Sequence, residues 1–286
     1  MAQDGGSAIE PGLHLVAVPI GAARDVTLRA LDLLAGADVL AAEDTRSLRR
    51  LMEIHGIVLG DRPLVPYHDH NGAAARPRLM AALREGRSVA YMSEAGTPLI
   101  ADPGFQLGVE ARAEGIAVRA APGASAILAA LCVGGMPTDR FFFAGFLPPK
   151  SAARKAALSE IAAVPGTLVL YESPKRLAAL LRDAAEVLGP RRAAVCRELT
   201  KRFEEVRQGT LTELSEVWPD PPKGEIVVLI DRPDPAGETD PEALRALLAD
   251  EMGRMSLKSA VKSVSERTGV ARNMVYDLAL QVRGEE

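Results

Sequence analysis

The stretch Ser88-Val-Ala-Tyr-Met-Ser-Glu-Ala-Gly-Thr-Pro-Leu-Ile-Ala-Asp-Pro-Gly104 decides how the chain is read. Ser88 to Met92 is an apolar run of strand length, and a helical pattern runs from Gln106 to Glu114. The loop between them, residues 93–104, is long for a compact domain. Such loops are functional or disordered, and the Gly and Pro turns here are too dense for disorder. Directly after a strand, the loop stands where open α/β sheets bind ligands, outside the carboxyl ends of their strands.

The same alternation extends outward on both sides. Toward the amino terminus, Leu13 to Val18 reads as a strand, then comes a helix with Leu28, Leu31 and Leu34 as its apolar positions, then a strand from Asp38 to Ala42. Ala73 to Arg84 is helical, with Leu79 and Leu83 on one side. Toward the carboxyl terminus, Ile116 to Ala120 is a strand and Ser125 to Val133 a helix. This pattern predicts an α/β domain with a largely parallel sheet. Met136-Pro137 and Pro148-Pro149 bracket a transition to a second set. Its strands are Phe141 to Ala144, Thr167 to Tyr171, Ala193 to Cys196 and Ile226 to Ile230. Its helices are Ser151 to Ile161 and one that Pro174 opens, running to Leu188. The expected division is a disordered tail (1–11), an N-terminal α/β domain (12–136), a C-terminal α/β domain (137–232), and a linker with a helical extension (233–286).

The composition is that of a globular protein, with 48% hydrophobic and 25% charged residues among 286. Aromatics are 4%, so the core is built from Ala, Leu and Val. Cys132 and Cys196 sit in apolar runs without metal or redox spacing and are expected as buried, reduced thiols of a cytoplasmic protein. His68-Asp69-His70 has no third ligand nearby, so it reads as a polar loop and no metal is expected. No stretch has the charge and apolarity of a secretory signal, and none reaches the roughly 18 apolar residues of a membrane span.

A net charge of −4 argues against a general nucleic-acid binder, but the charge is unevenly placed. Arg254 to Arg283 holds six Lys and Arg against Glu266 and Asp277. Within it Leu257, Ala260, Val261 and Val264 form a helical apolar stripe, with Lys258 and Lys262 on the opposite face and Gly269 at a helix stop. Arg272 opens the next helix. The pattern resembles a helix-turn-helix, with Lys258, Lys262, Arg267 and Arg272 as expected contacts to nucleic-acid phosphates; a helical pair that only pads the core or a dimer is the competing account.

Four loops follow four successive strands of the first domain: Val18-Pro-Ile-Gly21, Ala42-Glu-Asp-Thr-Arg46, residues 93–104 and Pro122-Gly-Ala-Ser-Ala126. None is a dinucleotide fingerprint or a P-loop. Taken singly, Gly21 is a tight turn, Asp44 a cap for the next helix and Ser125 an N-cap. Taken together, they converge on one site.

These four motifs, with Gly145-Phe-Leu-Pro148, Tyr171-Glu-Ser-Pro174 and Arg197-Glu-Leu-Thr-Lys201, occur in order over residues 12–232. In that order they resemble the ribosomal RNA small-subunit methyltransferase I family of the wider tetrapyrrole-methylase group. The tail is similar to that family's C-terminal extension. Three positions depart from the pattern: Ala22-Ala23 in place of Asn-Leu, Glu94 in place of Asp, and Lys175 in place of His.

The resemblance implies S-adenosylmethionine in a cleft between two α/β domains. It implies methyl transfer to the 2′-hydroxyl of a cytidine ribose in the decoding region of 16S rRNA of the small ribosomal subunit, by a homodimer. The cofactor residues carried over are Pro19, Gly21, Ser93, Glu94, Ala95, Gly96, Thr97, Ile100, Ser125, Ala126, Glu172, Leu199 and Thr200. A sulfonium donor is already activated and needs no metal, whereas a ribose hydroxyl is a weak nucleophile that calls for a general base. Glu43 and Asp44 are the candidates, with Lys201 as their electrostatic partner; a structural salt bridge is the competing account of each.

Three other readings compete. A methylase of the same group acting on a small tetrapyrrole-like molecule would not need the basic tail. A non-catalytic nucleic-acid-binding regulator would not need so large an α/β body. A nucleotide-binding structural module would show a phosphate motif.

Overall fold

The computed structural model describes residues 9–68, 71–101, 104–218, 220–233, 241–268, 270 and 272–284. The first sheet holds β1 (Gly12–Val16), β2 (Val39–Ala42), β3 (Leu64–Pro66), β4 (Ser88–Met92) and β5 (Val118–Ala121), all parallel, in the order β3-β2-β4-β1-β5. Strands covered on both faces need continuous apolar runs, and every residue of β2 and β4 is buried. α3 (Gly72–Arg84) and α4 (Phe105–Ala113) bring Leu79, Leu83 and Leu107 against Leu13, Val89 and Tyr91. α1 (Leu28–Gly36) and α2 (Thr45–Ile54) cover the other face through Leu34, Leu48 and Met52, against Val16, Leu40 and Met92. The chain leaves β1 toward β2 and leaves β4 toward β5, in opposite directions across the sheet. The gap between β1 and β4 is therefore the topological switch point, where a ligand cleft belongs.

Several local expectations are corrected. In α1 the buried positions are Ala30, Leu33 and Leu34, while Leu28 is exposed, because Thr27 caps the helix and starts its register there. Cys132, on the outer face of α5 (Ala126–Val133), is exposed; only Cys196 is buried. Ser125 stands at the N-cap of α5, but its hydroxyl makes no capping bond.

The second sheet is mixed. β6 (Phe141–Phe146), β7 (Thr167–Glu172), β8 (Arg192–Arg197), β9 (Glu205–Thr210) and β10 (Ile226–Ile230) take the order β6-β7-β10-β8-β9. Only β6 and β7 run parallel; the other pairs are antiparallel. α6 (Ser151–Ile161), α7 (Leu177–Leu188) and α8 (Leu211–Ser215) cover one face with a Leu-rich core. Pro174 opens a 3-10 turn to Arg176, and the α-helix starts only at Leu177. α6 and α7 are tied by a buried pair, Arg154 Nη2 to Asp183 Oδ2 at 2.6 Å.

The other face of this sheet receives α5. Ile127, Ala130 and Leu131 pack on Val169, Ala194, Cys196, Val227 and Leu229. Gly134 is required at the end of that helix, since a Cβ there would lie 2.3 Å from Leu229 Cδ1. Beyond the second sheet, α9 (Pro241–Arg254), α10 (Leu257–Thr268) and α11 (Arg272–Gly284) form their own core of Leu244, Leu248, Val261, Val264, Val275 and Ala279. Lys258, Lys262 and Arg272 are exposed on it, and Gly269 and the Arg267 side chain lie outside the described residues.

Among the described residues no helix is long and apolar enough to cross a membrane. No group of three or more His, Cys, Asp or Glu among them is placed to hold a metal ion. Asp69 and His70 lie outside the described residues.

Candidate functional site

At the switch point the loops after β1 and β4 are zipped together. Val18 N donates to Gly96 O at 2.9 Å, and Gly96 N to Val18 O at 3.1 Å. Gly96 has φ +73°, and a Cβ there would meet Ile20 Cγ2 at 3.3 Å, so glycine suits both the turn and the close approach. Thr97 Oγ1 donates to Ala124 O at 3.0 Å, tying this loop to the one after β5. Leu99 and Ala101 sit at φ +72° and +62°. Such backbone costs about 1–3 kcal/mol per non-glycine residue and collects at ligand sites.

The second sheet closes the site. Its register sets Ile226 opposite both Glu172 and Arg197, so the start of β10 lies between the ends of β7 and β8. A cavity of about 380 Å³ lies between that edge and the switch point.

Of the residues expected around a cofactor, Glu94, Ala95, Gly96, Thr97, Ile100, Ser125, Ala126, Glu172 and Leu199 line this cavity, as does Glu43. Pro19, Gly21, Ser93 and Asp44 instead line an adjoining open cleft of about 560 Å³, with Glu94 common to both. Thr200 and Lys201 line neither. Thr200 Oγ1 accepts from Ala22 N at 3.0 Å, and a Cβ on Gly21 would lie 2.5 Å from Lys201 Cγ. These two clasp the first domain's loop to the second domain.

Walls absent from the sequence expectation are Cys196 and residues 224–227; Ile20, Ala101, Phe146, Tyr171 and Ser173-Pro174 enter through quoted motifs. The signal for 224–227 was Gly224 ahead of an apolar strand, but the direction of that strand had to be known first.

Four carboxylates, Glu43, Glu94, Glu172 and Glu225, line the cavity beside the Phe146 and Tyr171 rings. Such a lining favours a ligand with positive charge, by field and by cation–π contact. Glu43 Oε2 accepts from Glu94 N at 3.1 Å, which orients its carboxylate. Glu172 is buried; its Oε1 accepts from Ser173 N at 2.7 Å and lies 3.1 Å from Arg176 Nε. Its Oε2 is buried with no hydrogen-bond partner among the described residues. Burial pushes the Cys196 thiol up to about 12, with Glu204 adding to the rise, so it is an inert wall and not a nucleophile.

Asp44 and Lys201 are already engaged. Asp44 caps α2, accepting from Arg46 N at 2.7 Å and Ser47 N at 3.4 Å. The Arg46 side chain and these backbone donors hold its carboxyl below the usual range. Lys201 Nζ donates to Glu198 at 2.8 Å and to Glu225. Its partial burial lowers the ammonium's pKa, but the two carboxylates outweigh that and raise it.

Asn caps helices as well as Asp does, so Asp44→Asn is expected to keep folding stability within about 1 kcal/mol at pH 7. Turnover should stay within about threefold, because an ordinary cap contributes nothing to proton transfer. A carboxyl whose folded pKa is depressed stabilises above its unfolded pKa and loses that contribution as pH falls through the folded one. Urea unfolding from pH 7 down to pH 3 should therefore show a shallower acid decline in the variant, and a hundredfold loss of turnover would make Asp44 the base.

Residues 12–215 match the family model of Tetrapyrrole (Corrin/Porphyrin) Methylases, and residues 238–283 match the RsmI C-terminal HTH domain. The ribosomal RNA small subunit methyltransferase I of Mesorhizobium japonicum is 46% identical over 96% of this chain and 93% of its own length. The protein of that name from Pseudomonas aeruginosa is 42% identical over 96% and 98%. Among solved structures, the uroporphyrin-III C-methyltransferase of Thermus thermophilus, complexed with S-adenosylhomocysteine, has the same fold. It matches with TM-score 0.53 at 21% identity, over 76% of this chain and 96% of its own.

Proposed function

The chain belongs to the ribosomal RNA small subunit methyltransferase I family of tetrapyrrole-type methylases, and from that premise we propose that it methylates the 2′-hydroxyl of a cytidine ribose in the decoding region of 16S rRNA, using S-adenosylmethionine. The observation that carries the site assignment is the cavity at the switch point. Its acidic and aromatic lining and the partnerless Glu172 Oε2 fit a cationic cofactor rich in N–H and O–H donors. Ala95, Gly96, Thr97, Ile100, Ser125, Ala126, Glu172 and Leu199 would hold it. Bound S-adenosylmethionine supplies a methyl group already activated on sulfonium.

The protein's own part is orientation and proton removal. Glu43 is the general base in this reading, because it lines the cavity and is steered by Glu94 N, whereas Asp44 is occupied as a helix cap. Lys201 acts through Glu225, neutralising one carboxylate of the lining and fixing the edge of the second sheet.

The substrate places this work in the cytoplasm, on the small subunit. A homodimer is supported by the edge strand β6, whose unpaired outer backbone and exposed Phe141 and Phe142 a second copy would cover. The change of sheet between Val133 and Phe141 supports dividing the chain after residue 136.

The test is transfer of labelled methyl from S-adenosylmethionine to small ribosomal subunits from cells lacking the protein. Label on a cytidine 2′-oxygen is the expected result; rRNA that takes no label, or label on a base atom, overturns it. The helical extension adds a second expectation. Replacing Lys258, Lys262 and Arg272 by Gln in the full chain should leave cofactor affinity unchanged. It should lower the slope of log RNA affinity against log salt by about 2, at about 0.7 per lost phosphate contact. An unchanged slope would mean that the extension only packs.

A further inference from the structure

The open cleft beside the cofactor cavity has no role in holding the cofactor in the reading above. Its floor is apolar, from Val18, Leu51 and the half-exposed Ile54, and one bank carries Arg46 and Arg50. These two arginines lie four residues apart on α2, so they project from successive turns of one helix face. Their side chains are 90% and 68% exposed. Each pairs with one carboxylate, Arg46 with Asp44 at 3.1 Å and Arg50 with Glu53 at 2.7 Å. Exposed pairs of this kind contribute little to folding, so a polyanion can compete for the guanidinium groups. Glu94 lines both spaces, so a chain lying in the open cleft abuts the cofactor cavity along that wall.

A separate observation comes from the second domain. The loop that clasps Gly21, at the rim of the same cleft, continues into Arg202 and Phe203. Phe203 is 65% exposed, and the Arg202 guanidinium carbon lies 5.5 Å from its ring centre. An exposed aromatic ring with a guanidinium beside it is a platform on which unpaired bases stack.

We infer that this cleft receives the single-stranded RNA segment carrying the target nucleotide, with Arg46 and Arg50 on its phosphates and Phe203 stacked on a neighbouring base. The inference rests on the assignment of RNA as methyl acceptor. Phosphate contacts on one bank set the register of the strand, the stacked base fixes its end, and the shared wall at Glu94 presents the ribose to the cofactor cavity.

The test uses the full-length chain and unmethylated small subunits, with three variants: Arg46→Gln/Arg50→Gln, Phe203→Ala, and Arg84→Gln as a control for lost surface charge. Arg84 ends α3 just before β4 begins, at the opposite end of the strands from the cleft-forming loops, where it pairs with Glu114. The double arginine variant should raise KM for subunits about tenfold or more and lower the salt slope of RNA affinity by about 1.4, at about 0.7 per contact. Its kcat at saturating subunits and its Kd for S-adenosylmethionine should stay within threefold of the parent's. Phe203→Ala should raise KM by roughly 5- to 150-fold with the salt slope unchanged, the range measured for losing one stacked base. The control should match the parent. Parent-like KM and slope in both test variants overturn the inference while methyl transfer to RNA still stands. A parent protein that labels no rRNA overturns both.

Discussion

Glu43→Gln is expected to lower turnover by about 10²- to 10⁴-fold, the range for removing a positioned general base. The amide keeps the size of the carboxylate and can still accept from Glu94 N, the bond that orients it at 3.1 Å in the parent. Only the capacity to take a proton is lost. Folding and cofactor affinity should therefore be nearly unchanged, since Glu43 is partly exposed and buries no charge that needs compensation. The measurement is single-turnover methyl transfer at saturating subunit and cofactor, so that the chemical step is observed. A variant within threefold of the parent rate would remove Glu43 from proton transfer and leave orientation alone to account for the rate.

The loop that governs the site was legible because its signals are local. Residues 93–104 follow an unbroken apolar run and carry turn residues at close spacing, and neither signal depends on the rest of the molecule. β3 gave no such signal: it is three residues long, ends in Pro66 and pairs on one side only. α2 was readable in principle, since Leu48, Leu51 and Met52 stand at i, i+3 and i+4 behind the Asp44 cap. Arg46, Arg49, Arg50 and Glu53 interrupt that stripe, so only the cap at its start stands out.

The contribution of the second sheet is a different kind of gap. The residues at 224–227 reach the cavity only because β10 runs antiparallel to β7 and β8, bringing the beginning of one strand beside the ends of two others. An apolar pentapeptide such as Ile226–Ile230 fits a parallel or an antiparallel strand equally well, so its direction is decided by tertiary packing. The roles of Thr200 and Lys201 follow the same logic. Their motif is visible, but that they clasp Gly21 depends on how α5 seats the first domain on the second.

The second large effect is expected at Glu172, on the opposite wall. Its side chain is fully buried at the end of β7, where an uncompensated carboxylate is costly. Ser173 N donates to Oε1, and the Arg176 guanidinium pairs with the same oxygen by charge without a hydrogen bond from Nε. Oε2 lacks a partner among the described residues, and buried polar atoms in that state are rare unless a ligand or water completes them. A hydrogen bond to a charged acceptor contributes about 1.5–3 kcal/mol, so Glu172→Ala should raise the Kd for S-adenosylmethionine by roughly 10- to 150-fold. Removing the carboxylate also takes away the ion-pair partner of Arg176, so a fall in stability is expected alongside the weaker binding. Isothermal titration with S-adenosylmethionine, alongside thermal unfolding, separates the two effects. If Glu172 only holds the Ser173–Arg176 turn, Tm falls and Kd does not move in the folded variant. If the open oxygen is a cofactor acceptor, Glu172→Gln gives the sharper result. Its amide oxygen can replace Oε1 at Ser173 N, and its NH₂ then presents a donor where the cofactor presents one too. Kd should then rise at least as far as in the alanine variant while most of the lost stability returns, an outcome that a purely structural carboxylate does not produce.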